Sequence, residues 1–145
     1  MNIYLLDVNV LLALCDPGHL HHGAAHRWFE ARGAAGWATC PLTENAFVRI
    51  AGQPAYPNSP GGPETAAGIL HEFCRSRSHH FWPDSISLLD RQLFRPGIPV
   101  GPQQITDIYL LGLAVKHGGR LATLDRRIPA EAVEHGPKAL ELLSV

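Results

Sequence analysis

Residues 2–14, Asn2-Ile3-Tyr4-Leu5-Leu6-Asp7-Val8-Asn9-Val10-Leu11-Leu12-Ala13-Leu14, decide the fold. Ile3 to Leu6 is apolar without alternation, the pattern of a strand buried on both faces of a parallel sheet and not of one arm of a hairpin. Asp7 then stands at the carboxyl end of that strand, the edge at which open α/β sheets bind ligands. A carboxylate placed straight after an apolar run needs a base, a helix N-terminus, water or a metal ion to satisfy it. A plain turn or capping role for Asp7 fits this stretch equally well. Asn9 is expected to bond into the turn or to cap the helix beginning at Val10.

Outward from there, Asp16-Pro17-Gly18 reads as a turn and residues 19–32 as a helix with Leu20, Ala24, Trp28 and Ala31 at helical spacing. Residues 36–40 form a second short strand. Pro41 opens a helix to Ile50 with Leu42, Ala46, Phe47 and Ile50 on one face. Glu44 lies in its first turn, where the helix dipole favours an acid, so a purely stabilising role is open to it as well. Residues 52–62, rich in Pro, Gly, Asn and Ser, read as an exposed flap. A helix over residues 63–77 carries Ala66, Ile69, Leu70 and Phe73 as its apolar face, for the core or for a partner groove. Phe81-Trp82 reads as an edge strand stopped by Pro83. A short helix is expected near residues 86–93 and a long one over residues 101–117, with Asp107 in its opening turns and Gly118-Gly119 closing it. Arg120 to Asp125 is a further strand, ending in Thr123 and Asp125. A last short strand is expected near residues 132–134 and a helical turn or two at residues 138–143.

The 145 residues are most simply one domain, and 46% hydrophobic content excludes a disordered chain. A formal net charge of -1 leaves no general basic character, so a nucleic-acid partner requires a local patch, metal ions or a second subunit. Cys15, Cys40 and Cys74 are widely spaced, odd in number and without a CxxC pair, which speaks against a disulfide framework or a structural zinc site and for a reducing compartment. No basic region followed by a long apolar run precedes the first strand, and no stretch approaches the length of a membrane span. A cytoplasmic protein without a membrane partner is expected.

Strand, helix, strand, helix, with acids where strands stop, lets a parallel sheet gather Asp7, Glu44, Asp107 and Asp125 at one edge. Clustered like charges raise one another's pKa unless a cation sits among them. Oxygen donors with no cysteine and no helically spaced His pair beside them select a hard ion, Mg2+, with Mn2+ as a near substitute. Such a site suits phosphoryl chemistry. Asp7 is the expected principal ligand, Asp107 and Asp125 complete the shell directly or through water, and Glu44 ligates or orients the attacking water. Thr123 and Asn9 are expected to fix the carboxylates from behind.

In Leu6-Asp7-Val8-Asn9, Thr43-Glu44-Asn45, Ile105-Thr106-Asp107-Ile108-Tyr109-Leu110-Leu111 and Leu121-Ala122-Thr123-Leu124-Asp125-Arg126, the chain resembles PIN-domain ribonucleases, specifically VapC-type toxins of bacterial toxin–antitoxin pairs. These segments span nearly the whole chain in the family's order. The resemblance implies a three-layer α/β/α sandwich around a central parallel sheet of four or five short strands, and metal-dependent endonucleolytic cleavage of RNA by water. It also implies a homodimer neutralised by a VapB-type antitoxin whose tail covers the site. All four acidic positions are retained.

Arg126 and Arg127 adjoin the acids, and these two with Arg49 are the expected RNA contacts, although solvent-facing arginines are the plainer alternative. His22 and His26 have metal spacing but no third ligand, and His79 and His80 are no more convincing. Trp28, Trp37, Trp82 and Phe47 are expected in the core. Two rival functions keep the same edge. A phosphomonoesterase or nucleotide hydrolase would use Asp7, but residue 9 is not a second aspartate and no GxxxxGK[ST] loop exists. A catalytically inactive, partner-binding domain would keep the fold and lose only the chemistry.

Overall fold

A computed structural model describes residues 2–145. Its centre is a five-stranded sheet, every pairing parallel: β1 (Tyr4–Leu6), β2 (Trp37–Thr39), β3 (His79–Phe81), β4 (Arg120–Thr123) and β5 (Leu140–Leu142), in the order β3-β2-β1-β4-β5. The chain builds β1, β2 and β3 to one side and then returns to place β4 and β5 on the other. The order therefore reverses between β1 and β4, and the crevice beyond their carboxyl ends is where such sheets bind ligands. Asp7 follows β1 and Asp125 follows β4, so two of the expected acids flank that crevice.

Alternation along the strands divides the core into two layers. Tyr4, Leu6, Trp37 and Ala122 face α1 (Val8–Cys15), α2 (His22–Trp28), α3 (Pro41–Ala51) and α4 (Pro63–Phe73), whereas Leu5, Ala38 and Leu121 face α5 (Ile105–Lys116) and α6 (Gly136–Ala139). The result is the α/β/α sandwich expected from the sequence. Trp28, Trp37, Trp82 and Phe47 are all buried within it.

α1 is buried on nearly every side, which is why its sequence reads as a continuous apolar run. Its last carbonyls meet the histidines of α2: the ring N–H groups of His22 (Nδ1) and His26 (Nε2) donate to the oxygens of Ala13 at 2.7 Å and Leu14 at 3.1 Å. The four-residue histidine spacing thus serves to close a helix end whose carbonyls have no intrahelical partner.

Several expectations are corrected. The helix expected over residues 19–32 begins only at His22 and ends in a π turn, Phe29–Gly33; Ala25 and Trp28 form its buried side, and Leu20 is 89% exposed. In α3 the buried positions are Thr43, Phe47 and Ala51, and Leu42 is exposed. Residues 86–93 form turns instead of a helix, because Ser87 Oγ takes the Leu89 N–H and Asp90 Oδ1 takes the Gln92 N–H, side-chain bonds that compete with helical ones. Residues 132–134 are not a strand: a 3-10 turn at Ala130–Ala132 leads to a lone antiparallel bridge between Val133 and Phe94. The fifth strand is instead β5, where helical turns were expected, and only α6 before it is helical. Gly52 is buried, and residues 53–62 are mostly exposed but tied down, since Tyr56 Oη donates to Asp16 Oδ2 at 2.7 Å and Ser59 Oγ to the Ala51 carbonyl at 2.9 Å.

Candidate active site

Asp7 joins the ends of two strands. Its backbone N–H continues the sheet by donating to the Ala122 carbonyl at 3.0 Å, and its side chain caps α1, with Oδ1 accepting from Val8 N at 2.7 Å. Oδ2 accepts from Thr123 Oγ1 at 2.8 Å. The N-cap therefore falls to Asp7 and not to Asn9. Asn9 reaches across instead: Nδ2 donates to Thr123 Oγ1 at 3.3 Å, and Oδ1 accepts from Leu124 N at 3.2 Å. Thr123 also accepts from Asp125 N at 3.0 Å, so Asn9 and Thr123 lock the turn that carries Asp125. Asp7 is only 4% exposed. Burial raises its pKa, the bonds from Thr123 and Val8 oppose that, and the Asp125 charge raises it further, for a net upward shift.

Asp107 approaches from the first turn of α5. Its pKa is raised to about 6, first by burial and then by the charges of Asp7 and Asp125, with Arg127 opposing. The three aspartates therefore act on one another, as an expected cation site requires. They do not all converge within 4.8 Å, however; among the described residues that closeness is reached by Glu44, Cys74 and His79. A hard ion that retains several waters fits the wider spacing, because Mg2+ dehydrates reluctantly and reaches part of its protein shell through water.

Glu44 stands apart from the aspartates. Its Oε2 accepts from Thr39 Oγ1 at 2.8 Å, and the same hydroxyl lies 2.7 Å from His79 Nε2. Glu44 borders an open groove shared with Pro41, Asn45 and Arg49. Arg126 and Arg127 are exposed beside Asp125, and the Arg127 backbone N–H donates to Asp125 Oδ1 at 2.9 Å. Sequence reasoning did not group Cys74 and His79 with Glu44. They come from the end of α4, the start of β3 and α3, at spacings that carry no motif.

Acids beyond the strand ends at the reversal point of a five-stranded parallel sheet, between two helical layers, define a PIN-like α/β domain. No family model matches the chain. It is 43% identical over 134 residues to Ribonuclease VapC44 of Mycobacterium tuberculosis, covering 92% of this chain and 94% of that protein. It is 39% identical over 141 residues to Ribonuclease VapC38 of the same organism, covering 97% and 98%. Among solved structures it is similar in fold to VapC20 of Mycobacterium tuberculosis, a sarcin-ricin loop cleaving toxin, with TM-score 0.64, 13% identity and coverage of 90% and 96%. VapBC2 from Rickettsia felis, bound to a DNA fragment from its promoter, aligns with TM-score 0.60, 15% identity and coverage of 98% and 99%. The chain belongs to the VapC ribonuclease family.

Proposed function

We propose that this protein is a metal-dependent endoribonuclease toxin, held in check by a VapB-type antitoxin. The observation that carries the reading is the placement of Asp7 and Asp125 beyond the carboxyl ends of β1 and β4, joined through the Thr123 hydroxyl, in a chain 43% identical to a named ribonuclease over most of its length.

Asp7, Asp107 and Asp125 would hold Mg2+, with Mn2+ as a substitute, and the donor set fits because it is all oxygen and collectively short of positive charge. A bound ion there supplies Lewis-acid activation of water and neutralises charge on the phosphodiester. Thr123 and Val8 orient the Asp7 carboxylate by holding one oxygen each. Asn9, through Thr123 and the Leu124 N–H, fixes the turn bearing Asp125. Glu44, which lines a groove with Asn45 and Arg49, is the remaining acid of the expected four and would orient an attacking water from the β2 side. Arg49 in the same groove, with Arg126 and Arg127 at the other flank, would bind RNA phosphates. A homodimer in the cytoplasm remains part of the reading; no described helix is long and apolar enough to cross a membrane.

The test maps RNA 5′ ends after brief induction of wild type and Asp7→Asn. Discrete new ends in wild type, absent from a soluble variant, support the reading. Equal patterns in both, or no new ends from soluble wild type, sink it.

A further inference from the structure

Glu44, Cys74 and His79 place one ligating atom each within 4.8 Å of one another, and each side chain is half-buried. They come from three elements: Glu44 from the first turn of α3, Cys74 from the C-cap of α4, and His79 from the first position of β3. Two neighbours hold this arrangement. Thr39 Oγ1, fully buried at the end of β2, contacts Glu44 Oε2 at 2.8 Å and His79 Nε2 at 2.7 Å, and the Trp37 ring lies 4.7 Å from the His79 ring, centroid to centroid. On the outer side, a groove of about 230 Å³ bordered by Glu44, Cys74, Leu70 and His71 opens to solvent. The cluster is thus buttressed from within and reachable from without.

A thiol, an imidazole and a carboxylate are a different donor set from the aspartate cluster. Sulfur excludes Mg2+ as a natural occupant, and the mixed S, N, O set suits a borderline divalent ion. In tetrahedral zinc sites, bonds of about 2.0–2.3 Å put ligand atoms about 3.3–3.8 Å apart, so closure asks each side chain here to move by about 1 Å or less. We propose that Glu44, Cys74 and His79 form a second metal site, which takes a borderline divalent ion such as Zn2+, keeps one position open to the groove, and ties α3, the end of α4 and β3 together.

A Cys–His–Glu nucleophile reading of the same residues does not fit. Burial, and then the Glu44 charge, push the Cys74 thiol up to about 11, the reverse of what an activated nucleophile requires. On binding, the Cys74 S–H bond is replaced by a sulfur–metal bond and one proton leaves to solvent. With Thr39 donating to Glu44, His79 Nε2 carries its proton toward Thr39; ligation through Nε2 takes the other tautomer, with that proton on Nδ1, and gives up the Thr39 contact, so that Thr39 then holds Glu44 alone.

The test is independent of nuclease activity. Co2+ titrated into the purified protein should give a sulfur-to-cobalt charge-transfer band that Zn2+ abolishes, and Zn2+ should raise the thermal unfolding midpoint, since an ion binding only the folded state stabilises it. Cys74→Ala should lose the band, lose the rise and bind Zn2+ at least tenfold more weakly, whereas Asp7→Asn should keep all of these. No band in the wild type, or a band that survives in Cys74→Ala, overturns the proposal. X-ray absorption of the zinc-loaded wild type supplies a check that needs no variant: one sulfur in the shell supports the site, and a shell of oxygen and nitrogen alone overturns it.

Discussion

Thr123 donates its hydroxyl to Asp7 Oδ2 at 2.8 Å across the boundary between β4 and β1, and the same oxygen accepts from Asp125 N and Asn9 Nδ2. One buried hydroxyl therefore ties together two of the acids and their amide support. Thr123→Val keeps the shape and removes all three bonds. Groups that position metal ligands typically affect activity by about 10–100-fold, and buried polar groups left unpaired cost about 1–3 kcal/mol. We expect RNA cleavage to fall in that range and the denaturation midpoint to fall with it, and Thr123→Ser to recover most of both. A Thr123→Val protein with full activity would remove Thr123 from the site.

Glu141 performs a comparable task on the edge strand β5, in register with Ala122. Its carboxylate accepts from Trp28 Nε1 at 3.0 Å, pairs with Arg32, and lies 3.5 Å from Arg120 Nη1. Burial alone would raise its pKa, but the bonds from Trp28 and Arg32 and the charges of Arg32 and Arg120 outweigh it and hold the group below its ordinary value. The stability it contributes is present above the pKa of the unfolded chain and is lost as pH falls through the folded value. Glu141→Ala leaves the Trp28 N–H without its partner, so we expect a loss of about 1–3 kcal/mol near pH 7. The difference from wild type should shrink in acid, as pH falls through the depressed folded pKa and the wild-type carboxylate becomes protonated. Urea unfolding at neutral and at acid pH checks this, and an undiminished difference in acid would contradict the charge-based account.

Gly119 precedes β4 where the chain passes β1. A Cβ there would lie 2.4 Å from the Ile3 carbonyl oxygen and 2.8 Å from the Trp82 ring, and the first of these is backbone that cannot swing aside. Overpacking of this kind costs about 1–3 kcal/mol. We expect Gly119→Ala to lower the unfolding midpoint accordingly. Gly68→Ala, where a Cβ meets nothing within 4 Å, should not lower it.

These relationships show why some of the molecule is legible in its sequence and some is not. Ile3 to Leu6 and the run after Arg120 announce buried parallel strands because their composition differs from that of a half-exposed strand, and acids placed where they stop fall at the sheet edge by geometry alone. β5 escapes because Leu140-Glu141-Leu142 follows directly on a helical turn, and three residues carry too little periodicity to separate strand from helix. Residues 86–93 fail as a helix because of side-chain bonds from Ser87 and Asp90 that apolar spacing does not register. At the site, Asp7, Asp107 and Asp125 follow from their elements. Glu44 is also at an element's start, but its carboxylate is held by the Thr39 hydroxyl, which in turn contacts His79, a residue that arrives 35 residues later than Glu44 on a neighbouring strand.

Asp107 supplies the pH dependence. Its folded pKa, about 6, exceeds the usual value of 3.8 because of burial first and the Asp7 and Asp125 charges second. For a group raised on folding, the favourable contribution is fully present below the unfolded pKa and is lost as pH rises through the folded one. Without a divalent ion, the protein should therefore lose stability between about pH 4 and pH 6, as Asp107 ionises beside its neighbours. The full shift corresponds to about 3 kcal/mol at ~1.4 kcal/mol per unit, and solvent screening of this half-exposed group reduces the expected effect to about 1 kcal/mol. Asp107→Asn removes the charge, so in EDTA it should stabilise the protein near pH 7 by about that amount and leave stability at pH 4 little changed. With Mg2+ present the order should reverse, because the ion favours the ionised cluster that the variant lacks. Thermal unfolding of both proteins, with EDTA and with Mg2+, at the two pH values measures each arm. If Asp107→Asn responded to Mg2+ as the wild type does, Asp107 would not belong to the ion's shell.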